Sequence, residues 1–233
     1  MGLFRFKQFS VQDDGAAMKV GTDAVLLGAW CRVESARRIL DIGTGSGVIA
    51  LMLAQRSAPD AHIDAVEQSA EDVTQAAENF QRSPWPEKLS AIHGAIQECQ
   101  AVDRYDLIVC NPPYFSQSLL PPEKRRQEAR HDTRLSRKDL VAAIVRLLHP
   151  DGAACLILPH AEAEKFVTEA GASGLHPTRV TRFRTRPTTP PERLLVELRM
   201  VQTPPPKPDE LVLYEEGDNR SALYRQLTGD FYL

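Results

Sequence analysis

Short apolar runs alternate with longer amphipathic segments along most of this chain, which is typical of strands alternating with helices. Seven apolar runs predict strands, at residues 37–42, 63–67, 89–93, 105–111, 153–158, 175–183 and 194–201. Segments with helical spacing predict helices, at residues 48–56, 69–82, 137–148 and 161–171. In the second of these helices Val73, Ala77 and Phe80 recur on one face, so we expect that face to be buried.

The order of these elements predicts an α/β fold. Alternating strands and helices of this length imply a mostly parallel sheet with helices on both faces. The last two of the seven strands follow each other with no helix between them, so the last one should be antiparallel. Before the first strand, Thr22 or Asp23 can cap a helix that runs to about Cys31.

The two ends of the chain predict smaller additions to this core. Alternation over residues 4–9 predicts an N-terminal strand, and residues 17–20 predict its return strand. The proline-rich residues 204–208 predict a semi-rigid linker to a strand at 211–214 and a helix at 221–227. We therefore predict one domain over residues 1–233, with a hairpin cap at 1–35, a core at 36–201 and an extension at 202–233.

Composition indicates a cytoplasmic globular protein of 233 residues that is 42% apolar and 25% charged. No apolar run approaches the roughly 18 residues that a membrane span needs, and the first residues lack a secretory signal. Four scattered cysteines without a Cys-x-x-Cys pair predict reduced thiols and no metal site. We expect a monomer.

The charge is unevenly distributed, although the net charge of −3 argues against coating of nucleic acid by bulk charge. Residues 123–138 hold seven Lys or Arg against three acids. A second basic group comprises Arg179, Arg182, Arg184 and Arg186. Residues 209–233 reverse the sign, with six acids and two Arg. A basic run of this kind is either a solvated face or a contact for phosphates.

A glycine-rich loop, Asp41-Ile42-Gly43-Thr44-Gly45-Ser46-Gly47, follows the first core strand and opens a helix. Its third glycine comes one residue earlier than in the Gly-x-Gly-x-x-Gly fingerprint of pyrophosphate-binding loops. An acid just before the loop suits a cationic amino-acid group, and Glu67 can accept hydrogen bonds from both hydroxyls of a ribose. These features resemble the S-adenosylmethionine site of class I methyltransferases; a structural turn is the alternative.

A second motif, Asn111-Pro112-Pro113-Tyr114, follows the apolar strand at 105–111. Asn111 offers a side-chain oxygen, Pro112 a free carbonyl and Tyr114 an aromatic face. Two convergent acceptors suit an exocyclic amino group, and the ring can stack on a planar base. The motif resembles the (Asn/Asp)-Pro-Pro-Tyr motif of enzymes that methylate planar amino or amide nitrogens; a simple turn is the alternative.

Further runs extend the resemblance over nearly the whole chain, to the bacterial valine tRNA (adenine-37 N6)-methyltransferase family. They are Phe6-Lys7-Gln8-Phe9, Met18-Lys19-Val20-Gly21-Thr22-Asp23, Leu26-Leu27-Gly28-Ala29-Trp30, Gln127-Glu128-Ala129-Arg130 and the final Leu227-Thr228-Gly229-Asp230-Phe231-Tyr232-Leu233. The resemblance implies a Rossmann-like class I methyltransferase fold, whose seven-stranded sheet is mostly parallel. It also implies S-adenosyl-L-methionine as cofactor and tRNA as partner.

The resemblance also implies the roles of individual residues. The expected cofactor-binding residues are Lys19, Gly21, Thr22, Asp23, Asp41, Gly43, Thr44, Gly45, Gly47, Glu67, Gln68, Ala95, Ile96 and Asn111. The expected catalytic residues are Asn111, Pro112 and Tyr114. The expected substrate-binding residues are Pro113, Tyr114, Lys124, Arg125, Arg126 and Arg130. Where the family usually has an acidic residue to meet the cofactor adenine, this chain has Ala95, so Gln97, a backbone carbonyl or water would take that contact.

The sequence therefore predicts methylation of N6 of an adenine in tRNA, most simply position 37. Rival hypotheses are a protein glutamine methyltransferase, a ribosomal RNA guanine-N2 methyltransferase and a non-catalytic RNA-binding module. Only 36 residues precede the first predicted core strand, which is too few for the helical substrate domain of the glutamine enzymes.

Overall fold

The computed structural model describes residues 2–13, 19–100, 103–112 and 135–232. The elements in chain order are β1 (Leu3–Arg5), β2 (Ser10–Gln12), α1 (Thr22–Trp30), β3 (Arg38–Ile42), α2 (Val48–Arg56), β4 (His62–Glu67), α3 (Ala70–Gln81), a 3-10 turn (Pro86–Lys88), β5 (Leu89–His93), β6 (Tyr105–Cys110), α4 (Arg137–Leu147), β7 (Leu148–Pro159), α5 (His160–Gly171), β8 (His176–Arg184), β9 (Arg193–Arg199), β10 (Asp209–Val212) and α6 (Ala222–Thr228).

One sheet with the strand order β10-β8-β9-β7-β6-β3-β4-β5 forms the centre of the fold. Its strands run parallel except for β9, which is antiparallel to both β7 and β8. The predicted mostly parallel sheet with one antiparallel strand is thus confirmed. The sheet has eight strands rather than the seven predicted, because the linker at 204–208 returns the chain beside β8 and β10 pairs there in parallel.

The chain order around β3 determines where the functional site lies. The chain proceeds from β3 to β4 and β5 on one side, then returns to β6 and β7 on the other side. The connections that leave the carboxyl ends of β3 and β6 therefore run in opposite directions. This is a topological switch point, where open α/β sheets bind their ligands.

Helices cover both faces of the sheet, as predicted. Alternate residues of β3 point into two separate apolar cores, because side chains on a strand alternate between its faces. Ile39 packs with α1, α2 and Phe80 of α3, whereas Leu40 and Ile42 pack with α4 and α5. α1 is buried along Ala24–Trp30, consistent with its continuous apolar sequence. No helix among the described residues is long and apolar enough to span a bilayer.

The N-terminal hairpin is shorter than its sequence pattern suggested. β1 pairs with β2, so the strand that returns beside β1 is Ser10–Gln12. Of the return strand predicted at 17–20, residues 19 and 20 are not in a strand, and residues 17 and 18 lie outside the described residues. The chain turns at Phe6, whose N–H donates to the Phe9 carbonyl at 2.9 Å. The two rings stack at a centroid distance of 4.5 Å and both are buried, so burial of the phenylalanines bends the alternating segment.

The C-terminal segment holds this hairpin against the core. The Lys7 N–H donates to the Phe231 carbonyl at 2.8 Å, and the Lys7 Nζ donates to the Gly229 carbonyl at 2.6 Å. The Tyr232 ring stacks on Phe6 at 6.3 Å. The end of the chain is therefore a structural clamp on its beginning.

The arginines of β8 connect the extension to the sheet rather than forming a free basic surface. Arg184 and Arg182 both pair with Glu210 of β10, at 2.7 Å and 3.5 Å. Arg186 pairs with Asp218 at 2.9 Å. Arg179 lies over the Trp30 ring at 3.5 Å and donates to the Trp30 carbonyl. The basic group seen in the sequence thus makes contacts within the fold, to acids of the extension and to Trp30.

We predict that Phe231→Ala lowers the free energy of unfolding by about 3–5 kcal/mol, because its ring is buried in the apolar core that also contains Phe6 and Phe9. Leu223→Ala is the control, since Leu223 lies in the same C-terminal segment but is 59% exposed. Urea unfolding of both variants measures the difference. Equal stability losses would show that the C-terminal aromatic contributes little to the core.

Candidate functional site

A cavity of about 520 Å³ lies at the switch point. It collects residues from the segment before α1, the glycine-rich loop, the end of β4, the turn after β5 and the end of β6. Twelve of the predicted cofactor-binding residues line it: Lys19, Gly21, Thr22, Asp23, Gly43, Thr44, Gly45, Glu67, Gln68, Ala95, Ile96 and Asn111. Asp41 and Gly47 are not among the lining residues.

The glycine-rich loop is fixed by backbone hydrogen bonds to β4. The N–H groups of Gly43 and Thr44 donate to the Val66 carbonyl at 2.8 Å and 3.2 Å. Gly43 and Gly45 have φ of 71° and 54°, and a Cβ on either would meet no other protein atom within 4 Å. Positive φ favours glycine here, and the missing side chains leave the loop backbone open to the cavity.

Gly47 has a different role from the one predicted. It is the N-cap of α2 with φ of 84°, and a Cβ there would lie 2.5 Å from Cε1 of Phe80. Because its lack of a side chain permits close packing of α2 on α3, Gly47 supports the loop from behind and does not face the cavity.

The Glu67 carboxylate lies at the cavity wall and is held by three backbone donors. Its Oε2 accepts from the Gly45 N–H at 3.1 Å. Its Oε1 accepts from the N–H groups of Gln68 and Ser69, at 2.7 Å and 3.0 Å. A carboxylate has about four acceptor positions, so an orientation fixed by three bonds leaves capacity for a ligand hydroxyl.

Asp41 lies beneath the loop with no exposed surface. Its Oδ2 accepts from the Thr44 hydroxyl at 2.6 Å. Burial raises the pKa of this carboxyl to about 7; the Thr44 hydrogen bond lowers it, and the nearby Glu67 carboxylate raises it slightly. The predicted direct contact with a ligand amino group therefore does not fit the structure, because Thr44 and the loop separate Asp41 from the cavity.

The turn after β5 forms the wall that carries Ala95, Ile96 and Gln97. Arg146 of α4 fixes it: the Arg146 guanidinium donates to the Ile96 carbonyl at 2.9 Å, to the Gln97 carbonyl at 3.3 Å and to the Cys99 carbonyl. Ala95 presents no polar side-chain atom, whereas the Gln97 carboxamide belongs to a lining residue. No local sequence pattern indicates this role of Arg146, because Arg146 lies 50 residues from Ile96.

The segment before α1 reaches the cavity as predicted, but the helix cap differs. Gly21 is the N-cap and makes no side-chain cap bond, so the prediction that Thr22 or Asp23 caps α1 is wrong. Asp23 instead pairs with Arg193 at the start of β9, at 2.8 Å. This ion pair connects the first turn of α1 to β9.

At the end of β6, Asn111 is half-buried and lines the cavity, while Pro112 is buried behind it. The predicted residues Pro113, Tyr114, Lys124, Arg125, Arg126 and Arg130 lie outside the described residues. Arg137, at the end of the basic run, pairs with Glu162 at 2.8 Å and Glu169 at 3.2 Å, so it serves helix packing.

The cavity includes residues to which sequence reasoning gave no ligand-binding role. Asp72, in the first turn of α3, is 5% exposed and lines it. Its N–H donates to the hydroxyl of Ser69, the N-cap residue, at 3.3 Å. Within the described ranges no group of three His, Cys, Asp or Glu could hold a metal ion.

Comparison with known proteins identifies relatives along the whole chain. The sequence profile of the methyltransferase small domain matches residues 17–158. The tRNA1(Val) (adenine(37)-N6)-methyltransferase of Aeromonas salmonicida is 47% identical over 237 residues, covering 99% of this chain and 97% of that protein. The enzyme of the same name from Bacteroides thetaiotaomicron is 42% identical over 231 residues, with coverage of 99% and 97%.

Solved structures support the fold. A predicted O-methyltransferase from Agrobacterium tumefaciens superposes with a TM-score of 0.67 at 17% identity, covering 90% of this chain and 96% of that chain. A glycopeptide N-methyltransferase complexed with S-adenosylmethionine gives a TM-score of 0.58 at 14% identity, covering 80% and 96%. The architecture is therefore that of class I methyltransferases.

The buried Asp41 carboxyl generates a pH prediction. Folded protein keeps this proton up to a pH near 7, whereas the unfolded chain releases it near pH 4. Folding thus binds a proton in this range, and the contribution of Asp41 to stability falls as pH rises. The side chain of Asp41→Asn cannot titrate. As pH rises from 5 to 8, we therefore expect its free energy of unfolding to increase by roughly 1–3 kcal/mol relative to that of the wild type.

Urea unfolding of both proteins across this range provides the measurement. Parallel pH profiles for variant and wild type would mean that Asp41 titrates near its ordinary pKa despite its burial.

Proposed function

The chain belongs to the tRNA1(Val) (adenine(37)-N6)-methyltransferase family, and we propose that it methylates N6 of an adenine in tRNA, at position 37 of a valine tRNA. The observation that carries this proposal is the position of Asn111. Its carboxamide shares one cavity with Glu67 and the open glycine loop. An acceptor for amino protons thus lies beside a site with the chemistry of a nucleoside pocket.

The residues of the cavity fit S-adenosylmethionine. A volume of about 520 Å³ suits a ligand of this size. Glu67 would accept from the ribose hydroxyls, Ile96 and Val66 offer apolar surface for the adenine, and Gln97 offers a polar group for its edge. Lys19, Gly21 and Thr22 would border the methionine end. When bound, this cofactor supplies an electrophilic methyl group, whose bond to sulfur breaks as the adenine N6 lone pair forms the new bond.

Asn111 and Pro112 would prepare the nucleophile. The lone pair of an adenine amino group is delocalised into the ring, so the nitrogen is planar and weakly nucleophilic. The Asn111 oxygen and the Pro112 carbonyl would accept hydrogen bonds from the two N–H groups of this amino group. These bonds would favour a pyramidal nitrogen whose lone pair faces the methyl group. The methylated nitrogen, which would then carry a positive charge, would lose one of its two original protons to solvent, so no strong base is needed. Tyr114 would stack on the base, after the nucleotide has swung out of its own stack.

The proposal extends to the setting of the reaction. We place the enzyme in the cytoplasm as a monomeric single domain over residues 1–233, because its substrate is a tRNA that it can bind without a membrane or a metal ion. The family relationship disfavours the guanine-N2 and glutamine alternatives, since the named relatives are adenine-N6 enzymes. A non-catalytic module is disfavoured because Glu67 and Asn111 both face the cavity.

Nucleoside mass spectrometry tests the reaction. Purified protein is incubated with S-adenosylmethionine and unmodified valine tRNA transcript, and the digest should contain N6-methyladenosine that maps to position 37. A transcript with guanine at position 37 is the control and should remain unmethylated. Appearance of N2-methylguanosine, or of no methylated nucleoside at all, would contradict the proposal.

Asn111→Ala should reduce the methylation rate by at least about 100-fold, because the variant loses an interaction made at the reacting nitrogen. Affinity for S-adenosylhomocysteine should stay within about threefold of wild type, since Asn111 faces the base rather than the ribose. Single-turnover kinetics measures the methylation rate, and isothermal calorimetry measures the affinity for S-adenosylhomocysteine. A large loss of affinity with an unchanged rate at saturating cofactor would reverse this assignment.

Replacing Lys124, Arg125, Arg126 and Arg130 together by Gln tests the phosphate contacts. Each phosphate contact releases counterions and contributes up to roughly 0.7 to the slope of log affinity against log salt, so the variant should show a flatter slope and weaker tRNA binding at low salt. Its thermal midpoint and cofactor affinity should hardly change, because the proposal gives these four charges a role in tRNA binding and none in folding or in the cofactor site. Wild-type tRNA affinity, salt slope and rate in this variant would identify the run as a solvated face.

A further inference from the structure

Asn79 is a buried amide in the apolar interface between α3 and the rest of the protein. It is 2% exposed, and its side chain makes three hydrogen bonds to backbone atoms. Its Oδ1 accepts from the Gln12 N–H at 3.0 Å. Its Nδ2 donates to the Gln12 carbonyl at 2.9 Å and to the Ser46 carbonyl at 2.8 Å.

The partners of this amide belong to two segments that are far apart in the chain. Ser46 is part of the glycine-rich loop and lines the cavity. Gln12 is the last residue of β2, and Asp13, which follows it, accepts from the Val20 N–H at 3.0 Å. Val20 directly precedes Gly21, another lining residue. Asn79 therefore contacts one lining segment directly, at Ser46, and is linked to the segment before α1 through Gln12, Asp13 and Val20.

The amide does not bind a ligand itself. Both Nδ2 protons and one Oδ1 lone pair are used by the protein, and Asn79 is not among the lining residues. Its neighbour Phe80 packs against Gly47 in the same loop. α3 thus holds the loop twice, by a polar contact at Ser46 and an apolar contact at Gly47.

We propose that Asn79 is a positioning residue that couples the N-terminal hairpin to the cofactor loop. The inference rests on the proposed function, because it concerns the same cavity. If the amide fixes the loop and the hairpin together, ordering of the loop by a bound cofactor also stabilises the hairpin, and docking of the hairpin favours cofactor binding. Such coupling is reciprocal in free energy.

The choice of residue supports this interpretation. Asp at position 79 would have no proton to donate and would face the carbonyls of Gln12 and Ser46. Ala would leave those two carbonyls and the Gln12 N–H without this partner in a buried region, which is costly. An amide supplies the acceptor for Gln12 and both donors within one short side chain.

Calorimetric binding of S-adenosylhomocysteine to Asn79→Ala tests the proposal. We expect the dissociation constant to rise about tenfold, within the usual range of such couplings. The rate at saturating cofactor should change less than threefold. Thr181→Val is the matched control: it also removes a buried hydrogen bond, the one that Thr181 accepts from Trp30 Nε1 at 2.9 Å, but it lies away from the cavity.

The control separates positioning from general destabilisation. Thr181→Val should lower the thermal midpoint yet keep the wild-type dissociation constant. An unchanged dissociation constant in Asn79→Ala, or an equal rise in both variants, would overturn the role of Asn79 while leaving the proposed function intact. Failure of the wild-type protein to bind S-adenosylhomocysteine would overturn both.

Hydrogen exchange on the wild-type protein provides a test that does not depend on the folding of a variant. Addition of S-adenosylhomocysteine should slow exchange of the Gln12 and Val20 amides, although neither residue lines the cavity. Protection confined to the lining residues, with exchange of Gln12 and Val20 unchanged, would show that the hairpin and the loop are independent.

Discussion

The geometry of the site depends on the carbonyl of Val66, which accepts the N–H groups of both Gly43 and Thr44. These bonds join the loop after β3 to the end of β4 at the point where the two parallel strands stop pairing. Because Glu67 follows Val66 directly, its carboxylate is presented beside the loop, where it accepts from Gly45. The Glu67 carboxylate and the open loop backbone thus come from one junction.

Local sequence pattern was sufficient for most of the fold and for the cavity wall. The predicted bounds 48–56 and 89–93 agree with α2 and β5, because apolar spacing and flanking turn residues act within a few positions. α3 shows the limit. The pattern predicted a buried face through Val73, Ala77 and Phe80, of which Phe80 alone is buried. The other buried residues of α3 are Asp72, Ala76 and Asn79. Two of these are polar, so a count of apolar positions could not find them.

The missed contacts are long-range and polar. Asn79 and Arg146 act on backbone carbonyls 33 and about 50 residues away, and a carbonyl has the same chemistry at every position in the sequence. The partners of the second basic group could not be found from the sequence for a similar reason, since Arg184 meets Glu210 because β10 returns beside β8. The final run of residues is a recognisable sequence motif, but its hydrogen bond with Lys7 is visible only in the structure.

The site contains features that destabilise a folded protein, and these features explain why its loop needs supporting contacts. An acid is fully buried at Asp41, and three glycines with positive φ follow within six residues. Such features lower stability and persist where surrounding contacts fix them. Here the contacts are the Val66 carbonyl at the end of β4, the Phe80 ring and the Asn79 amide; neither Phe80 nor Asn79 lines the cavity. An open loop can therefore be rigid, because these contacts fix its backbone while no side chain of Gly43 or Gly45 covers the surface that faces the cavity.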